Sequence, residues 1–319
     1  MWRSSGFRDL TGAEWPQVRS LYESLIGLER KGKRRFPDLW DPSALVIASD
    51  YGGQHSGAGY TTYGILVTNQ KFARAWNAHR LAVRAAHLAD GRTLCYKDLN
   101  NDKRARLALS PFLSAADQLE GLLLTIAVNK DCNLIGSRQE IRAALPEAVK
   151  RWKPDTLRKA LTVGFIVNFL VAALAREGQD VVWVTDRDDI VPNQKKGTEM
   201  VEFLGRLTPY FGAPSLGHLT VLTTGVTSAT QALEDAVSIP DMAAGAAAEF
   251  FSALGISTPL MPPEIALPMP GTLSGKTRSL VQWLASPSGS LVKVLGRIRG
   301  EGDALAVEWM DFTKGILVR

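Results

Sequence analysis

The sequence predicts an α/β fold, a mixed sheet of about five or more strands with helices on both faces. Three observations point there. Ala44–Gly53, ALVIASDYGG, is apolar on both faces, as an interior strand is, and stops at Asp50 and two glycines. A Gly-rich loop, GGQHSGAG, then turns the chain into a second apolar run, Tyr60–Thr68, so the sheet opens as a meander. From Asp155 onward, helical and strand patterns alternate, the signature of a sheet covered by helices.

Taken in order, a helix is expected from about Gly12 to Glu29, with Thr11 as cap and Glu14 three residues later. In the first strand Val46, Ala48 and Asp50 share one face by the two-residue period. Residues 70–89, rich in Ala, Leu and Arg, read as a helix with its basic residues exposed. Arg92–Leu99, RTLCYKDL, reads as a short strand delivering Lys97 and Asp98 to its end. A helix from about Asp102 to Glu120 and a strand at Leu122–Val128 follow. The second half reads as helix Asp155–Glu177, strand Val181–Asp186, helix Thr198–Phe211, strand Leu219–Thr224 and a helix starting near Pro240. Residues 256–271 hold five prolines, at Pro259, Pro262, Pro263, Pro268 and Pro270, and read as an extended arm. Two alternating stretches around GEGD after Ser290 predict a terminal hairpin. Three parts are therefore expected: an N-terminal helical, basic addition at 1–42, an α/β domain at 43–254, and a proline-rich arm with a C-terminal hairpin at 255–319.

At 319 residues, 45% of them hydrophobic, the chain can bury a full core. Its two cysteines, Cys95 and Cys132, are too few for a disulfide framework or a Cys-rich zinc site. The start of the sequence lacks an apolar run of signal-peptide length, and no stretch reaches the roughly 18 uninterrupted apolar residues of a membrane span. Val163–Ala175 comes nearest and reads as a buried helix. A reducing cytoplasm and no membrane partner are the expectations. The net charge of +5 is modest. Basic residues are nonetheless clustered, at Arg30, Lys31, Lys33, Arg34 and Arg35 and again at Lys150, Arg151, Lys153, Arg158 and Lys159, and such runs either neutralise phosphates or form a solvated face.

Asp50, Asp98, Asp186, Asp188 and Asp241 each sit where a strand ends or a helix begins, which is where sites form in open α/β sheets. Residues of this kind also serve as turn formers and caps. A few carboxylates with water and substrate phosphate are a common magnesium environment, and two such ions can stabilise a phosphodiester displacement. Asp241 follows Pro240 and precedes AAGAAA, so a carboxylate at a helix start is expected there, with small residues letting that helix lie close to the sheet. His55, in the loop after Asp50, is the histidine best placed to assist a site. GTLSGKT at Gly271–Thr277 is one residue short of a phosphate loop and follows prolines rather than a strand.

The strand ending in Asp50 plus Gly, YKDL at Tyr96–Leu99, the strand ending in Asp186, and IPDMAAG at Ile239–Gly245 together resemble the ribonuclease H-like superfamily. They are most similar to a prokaryotic branch that opens with an Asp-rich strand and closes with an Asp-Ala-Gly helix. The resemblance covers roughly residues 44–254. It implies a mixed five-stranded sheet, metal-binding acids on its central strands, and phosphodiester hydrolysis with Mg2+ or Mn2+. Carried over by position, Asp50 would bridge the metals, Asp186 would be the strand ligand of the second half and Asp241 the last acid, with Asp98 and Asp188 as further candidate metal ligands. That branch usually has Glu-x-Lys on its third strand, where this chain has Cys95 before Lys97, and Thr93 two residues earlier. A metal-dependent nuclease is one expectation. The other is a catalytically degenerate scaffold that binds a protein or nucleic acid. Nucleic acid is the expected partner, through Lys31, Lys33, Arg34, Arg35 and Lys97, and a protein partner is a further expectation at the C-terminal arm.

Overall fold

The computed structural model describes residues 6–32, 35–55, 57–132, 134, 143, 145–225, 231–255, 269–301 and 304–310. The expected proline-rich arm lies outside them except for its last residues. Seven strands form one sheet: β1 Leu45–Gly52, β2 Tyr60–Asn69, β3 Gly121–Asn129, β4 Val181–Thr185, β5 Leu219–Thr223, β6 Leu291–Glu301 and β7 Ala304–Trp309, in the order β5-β4-β1-β2-β3-β6-β7. β1 is interior, as its two-sided apolar run predicts. Helices α1 Pro16–Arg30, α2 Gln70–His87, α3 Lys103–Ala116, α4 Pro154–Leu174, α5 Gln194–Leu207, α6 Gln231–Leu254 and α7 Gly275–Ala285 accompany it. The chain divides into two compact units, 1–48 with 67–70 and 133–230, and 49–66 with 71–132 and 231–319. Two of the unit boundaries fall inside β1 and β2.

The first unit is built on α4. This helix is long and apolar enough to cross a membrane, but 83% of its apolar window is buried inside the protein. Gly164 lets the Phe203 ring sit where a Cβ would be 2.6 Å from it. Trp15 stacks on Tyr210 at 5.2 Å and meets the edge of Phe211, which also contacts Phe165. Trp15 is therefore a core residue, and it explains a difference at the helix start. α1 begins at Pro16 with Trp15 as its N-cap and no side-chain cap, while the Thr11 amide is taken by Asp9. Proline at the first position leaves one fewer amide to satisfy, and the Val18 amide turns to the Trp15 carbonyl. β4 and β5 pair in parallel from Val181↔Leu219 to Thr185↔Thr223.

The second unit is built on α6, which starts at Gln231 and not near Pro240. Proline inside a helix removes one backbone donor. Here the helix continues through it because both sides are packed: Val237, Ile239, Met242 and Phe251 are buried. Its backbone lies directly against the strands. The Thr62 hydroxyl donates to the Ala244 carbonyl at 2.8 Å, and a Cβ on Gly52 would stand 2.8 Å from the same oxygen. A Cβ on Gly64 would collide with the Pro240 carbonyl. The small residues after Asp241 do let this helix approach closely.

Two further differences concern this unit. Arg80 and Arg84 on α2, expected to be exposed, are buried with Asp235 of α6, at 2.7 Å for Arg80 Nη1–Oδ2 and 2.5 Å for Arg84 Nη2–Oδ1. The segment expected as strand Arg92–Leu99 instead ends in a 3-10 helix, Tyr96–Asn100, with the Asp98 amide donating to the Cys95 carbonyl and the Asn101 amide to the Asp98 carbonyl. The third strand is β3, buried at every position. β6 pairs in parallel with β3, and β6 and β7 form the predicted antiparallel hairpin. Leu291, Val294, Leu295 and Ile298 of β6 are buried, so this terminal segment contributes core as well as edge. Fully buried Arg297 of β6 pairs with Glu308 of β7 at 2.6 Å, directly across the ladder.

Gly64→Ala should destabilise the protein by about 1–3 kcal/mol in urea unfolding, because α6 must lift from β2. Gly205→Ala, in a helix position with nothing within 4 Å, should instead stabilise it by about 0.5–1 kcal/mol.

Candidate functional site

The sheet and α6 set the positions of the acids singled out in the sequence. Asp50 stands near the end of β1, half-buried, with Oδ1 accepting the Tyr51 amide at 2.6 Å. Asp186 directly follows β4 and is exposed, and it accepts the Thr224 hydroxyl at 2.5 Å, tying the ends of β4 and β5. Asp188 closes a turn by accepting the Ile190 and Val191 amides and pairs with Lys159 at 2.7 Å. Lys159, counted in the second basic run, is buried in that pair and in a second one with Asp189. Asp98 lies in the 3-10 turn and lines an open cleft of about 560 Å³. Asp241 lies in the interior of α6, not at its start, so the dipole of a helix terminus does not act on it.

What Asp241 does is visible in the stripe it shares with Gly245 and Glu249, three positions four residues apart on one helix face. Tyr96 lies along that stripe. Its amide donates to Asp241 Oδ2 at 2.6 Å, its ring covers Gly245 where no Cβ would fit, and its hydroxyl donates to Glu249 Oε2 at 2.6 Å. The Thr277 hydroxyl donates to the same Oε2 at 2.6 Å, and the Ser274 amide to Oε1 at 2.9 Å. Lys276 sits 3.7 Å above the Tyr96 ring and donates to the Tyr96 carbonyl. The composition of AAGAAAEFF hides this role. Only the four-residue spacing of two acids around a glycine signals it.

The electrostatics follow from this packing. Burial opposes ionisation of Glu249, but the hydrogen bonds from Thr277, Tyr96 and Ser274 outweigh it and hold the carboxyl at about 2. Burial, then the bond to Glu249, pushes the Tyr96 phenol well above its ordinary value. Burial lowers Lys276, partly offset by the charges of Glu249 and Asp241. The GTLSGKT segment is accounted for too. Ser274 caps α7 by accepting the Thr277 amide, and Glu249 is the anion at that helix start, where a phosphate loop would hold phosphate.

Among the described residues, no three His, Cys, Asp or Glu side chains form a group that could hold a metal ion. Asp186 belongs to the first unit and Asp50, Asp98 and Asp241 to the second. Of the expected nucleic-acid contacts, Lys31, Arg35 and Lys97 are exposed, and Lys33 and Arg34 lie outside the described residues. The His55 carbonyl accepts from Lys130 at 2.6 Å, which ties down the loop after β1. Comparison with protein-family models, curated proteins and solved structures finds no match.

Because Glu249 titrates at about 2, below its ordinary 4.5, its ionised form adds stability at neutral pH. That contribution fades as pH falls from about 4.5 toward 2. Glu249→Gln should therefore lower the melting temperature more at pH 7 than at pH 3, measured by circular dichroism at both values.

Proposed function

We propose that this chain is a nucleic-acid-binding scaffold built on a ribonuclease H-like sheet, derived from a metal-dependent nuclease and no longer cutting its ligand. The sheet supports the relationship. β1 is flanked on one side by β2 and β3 and on the other by the parallel pair β4–β5, in keeping with the mixed five-stranded core that the resemblance implies. The observation that carries the loss of chemistry is the work done by Asp241. In the resemblance it is the last metal acid, whereas here it anchors the Tyr96 amide in the middle of a helix. The third-strand acid also lacks a counterpart. Cys95 stands before Lys97, this segment is not a strand, and β3 itself, GLLLTIAVN, carries no carboxylate.

These donors do not fit a two-ion centre, which needs several carboxylates converging on the cations. The basic balance, with a sequence pI of about 9.2, and the exposed Lys31, Arg35 and Lys97 support a phosphate-bearing partner. Retained nuclease activity is the competing outcome, and Asp50 decides between the two. Asp50→Asn removes the charge while keeping an oxygen that can accept the Tyr51 amide, so it tests metal binding without taking that bond away. Millimolar Mg2+ or Mn2+ should shift the melting temperature of neither protein, and labelled DNA and RNA should stay intact. Metal-induced stabilisation of the parent that Asp50→Asn abolishes, together with metal-dependent cleavage, would replace the scaffold reading with the nuclease.

A further inference from the structure

The open cleft of about 560 Å³ beside the 3-10 turn is lined by Arg92, Lys97, Asp98, Asn101, Asp102, Lys103 and Arg104. We infer that this cleft grips the sugar–phosphate backbone of a nucleic acid without reading its bases, an inference that rests on the nucleic-acid-binding reading above. Four cations face two carboxylates there, and one of those carboxylates is already engaged. Asp102 accepts the Arg104 and Ala105 amides as the cap of α3 and also pairs with Arg92. Asp90, next to the cleft, takes Arg92 through Nε at 2.8 Å and Nη2 at 2.5 Å, and Arg104 at 3.3 Å.

These pairs fix the Arg92 guanidinium from two sides without exhausting it. A guanidinium has five N–H groups, and the Asp90 and Asp102 bonds come from three of its nitrogens, leaving one N–H on each terminal nitrogen for a ligand. Arg106 of α3 donates to the Asn100 carbonyl at 2.7 Å, tying that helix to the end of the 3-10 turn. Lys97 and Lys103 are exposed and form no ion pair among the described residues, so they enter a complex without first breaking one. A fixed guanidinium and two exposed ammonium groups lining one cleft suit the phosphates of a backbone. No lining residue is aromatic, so the cleft offers bases no stacking platform. Contacts of this kind set affinity and position, not sequence.

The test measures fluorescence anisotropy of the full chain with labelled DNA and RNA, single-stranded and duplex, in several unrelated sequences over a range of salt. Lys97→Ala with Lys103→Ala is compared with Lys71→Ala with Lys195→Ala, an equal change of charge at exposed lysines outside the cleft and outside both basic runs. The cleft pair should weaken binding at least about tenfold at ~0.1 M salt, by the same factor for every sequence. It should also reduce the slope of log affinity against log salt by about 2, while the comparison pair leaves that slope close to the parent's. Equal losses from both pairs, or no loss from the cleft pair, would overturn the cleft assignment while leaving the nucleic-acid reading standing. No binding of any probe by the parent would overturn both.

Discussion

The close approach of α6 to β1 and β2 is the constraint on which the second unit depends. A helix normally stands off a sheet by the length of its side chains, but here Gly52, Gly64 and the alanines after Met242 bring backbone against backbone. The Thr62 hydroxyl can reach the Ala244 carbonyl only at that distance. With one stripe of α6 held so close, the neighbouring stripe at Asp241, Gly245 and Glu249 is presented to Tyr96, and through Glu249 to the start of α7. The buried pairing of Asp235 with Arg80 and Arg84 fastens the amino-terminal half of the same helix to α2. Buried charges of this kind are costly unless fully bonded, which makes them better guides to orientation than to stability.

Much of the architecture was legible because strands and buried helices carry period and polarity over long runs. β1, β3, β4 and β5 lie within two residues of where their apolar runs place them, and α4 was recognisable as buried from Val163–Ala175. Errors came where short-range signals compete with packing. Thr11 and Glu14 have the spacing of a capping box, yet the helix starts after Trp15 because that ring is needed among Phe165, Tyr210 and Phe211. Pro240 has the appearance of a helix start, and tertiary contacts on both sides carry the helix past it.

The acids illustrate a different limit. Their positions at strand ends were readable, since Asp50 and Asp186 do stand at the ends of β1 and β4. Their partners were not, because a carboxylate bound to a nearby amide, to a hydroxyl or to a distant backbone looks the same in one dimension. Asp188 shows this most directly: its turn bonds to Ile190 and Val191 are local, but Lys159 approaches from a helix some thirty residues earlier. Asp235 and Glu249, the acids with the most demanding surroundings, were inconspicuous in a sequence dominated by alanine.

Arg297 gives the carboxy-terminal hairpin an unusual kind of proofreading. Strand pairing alternates faces, so a slip of one residue between β6 and β7 would turn Glu308 away from the guanidinium. It would take that carboxylate from fully buried Arg297 and from Arg299 together. The shared Glu308 thus opposes a one-residue slip of the outer strand, and the register of this edge is set from within the fold.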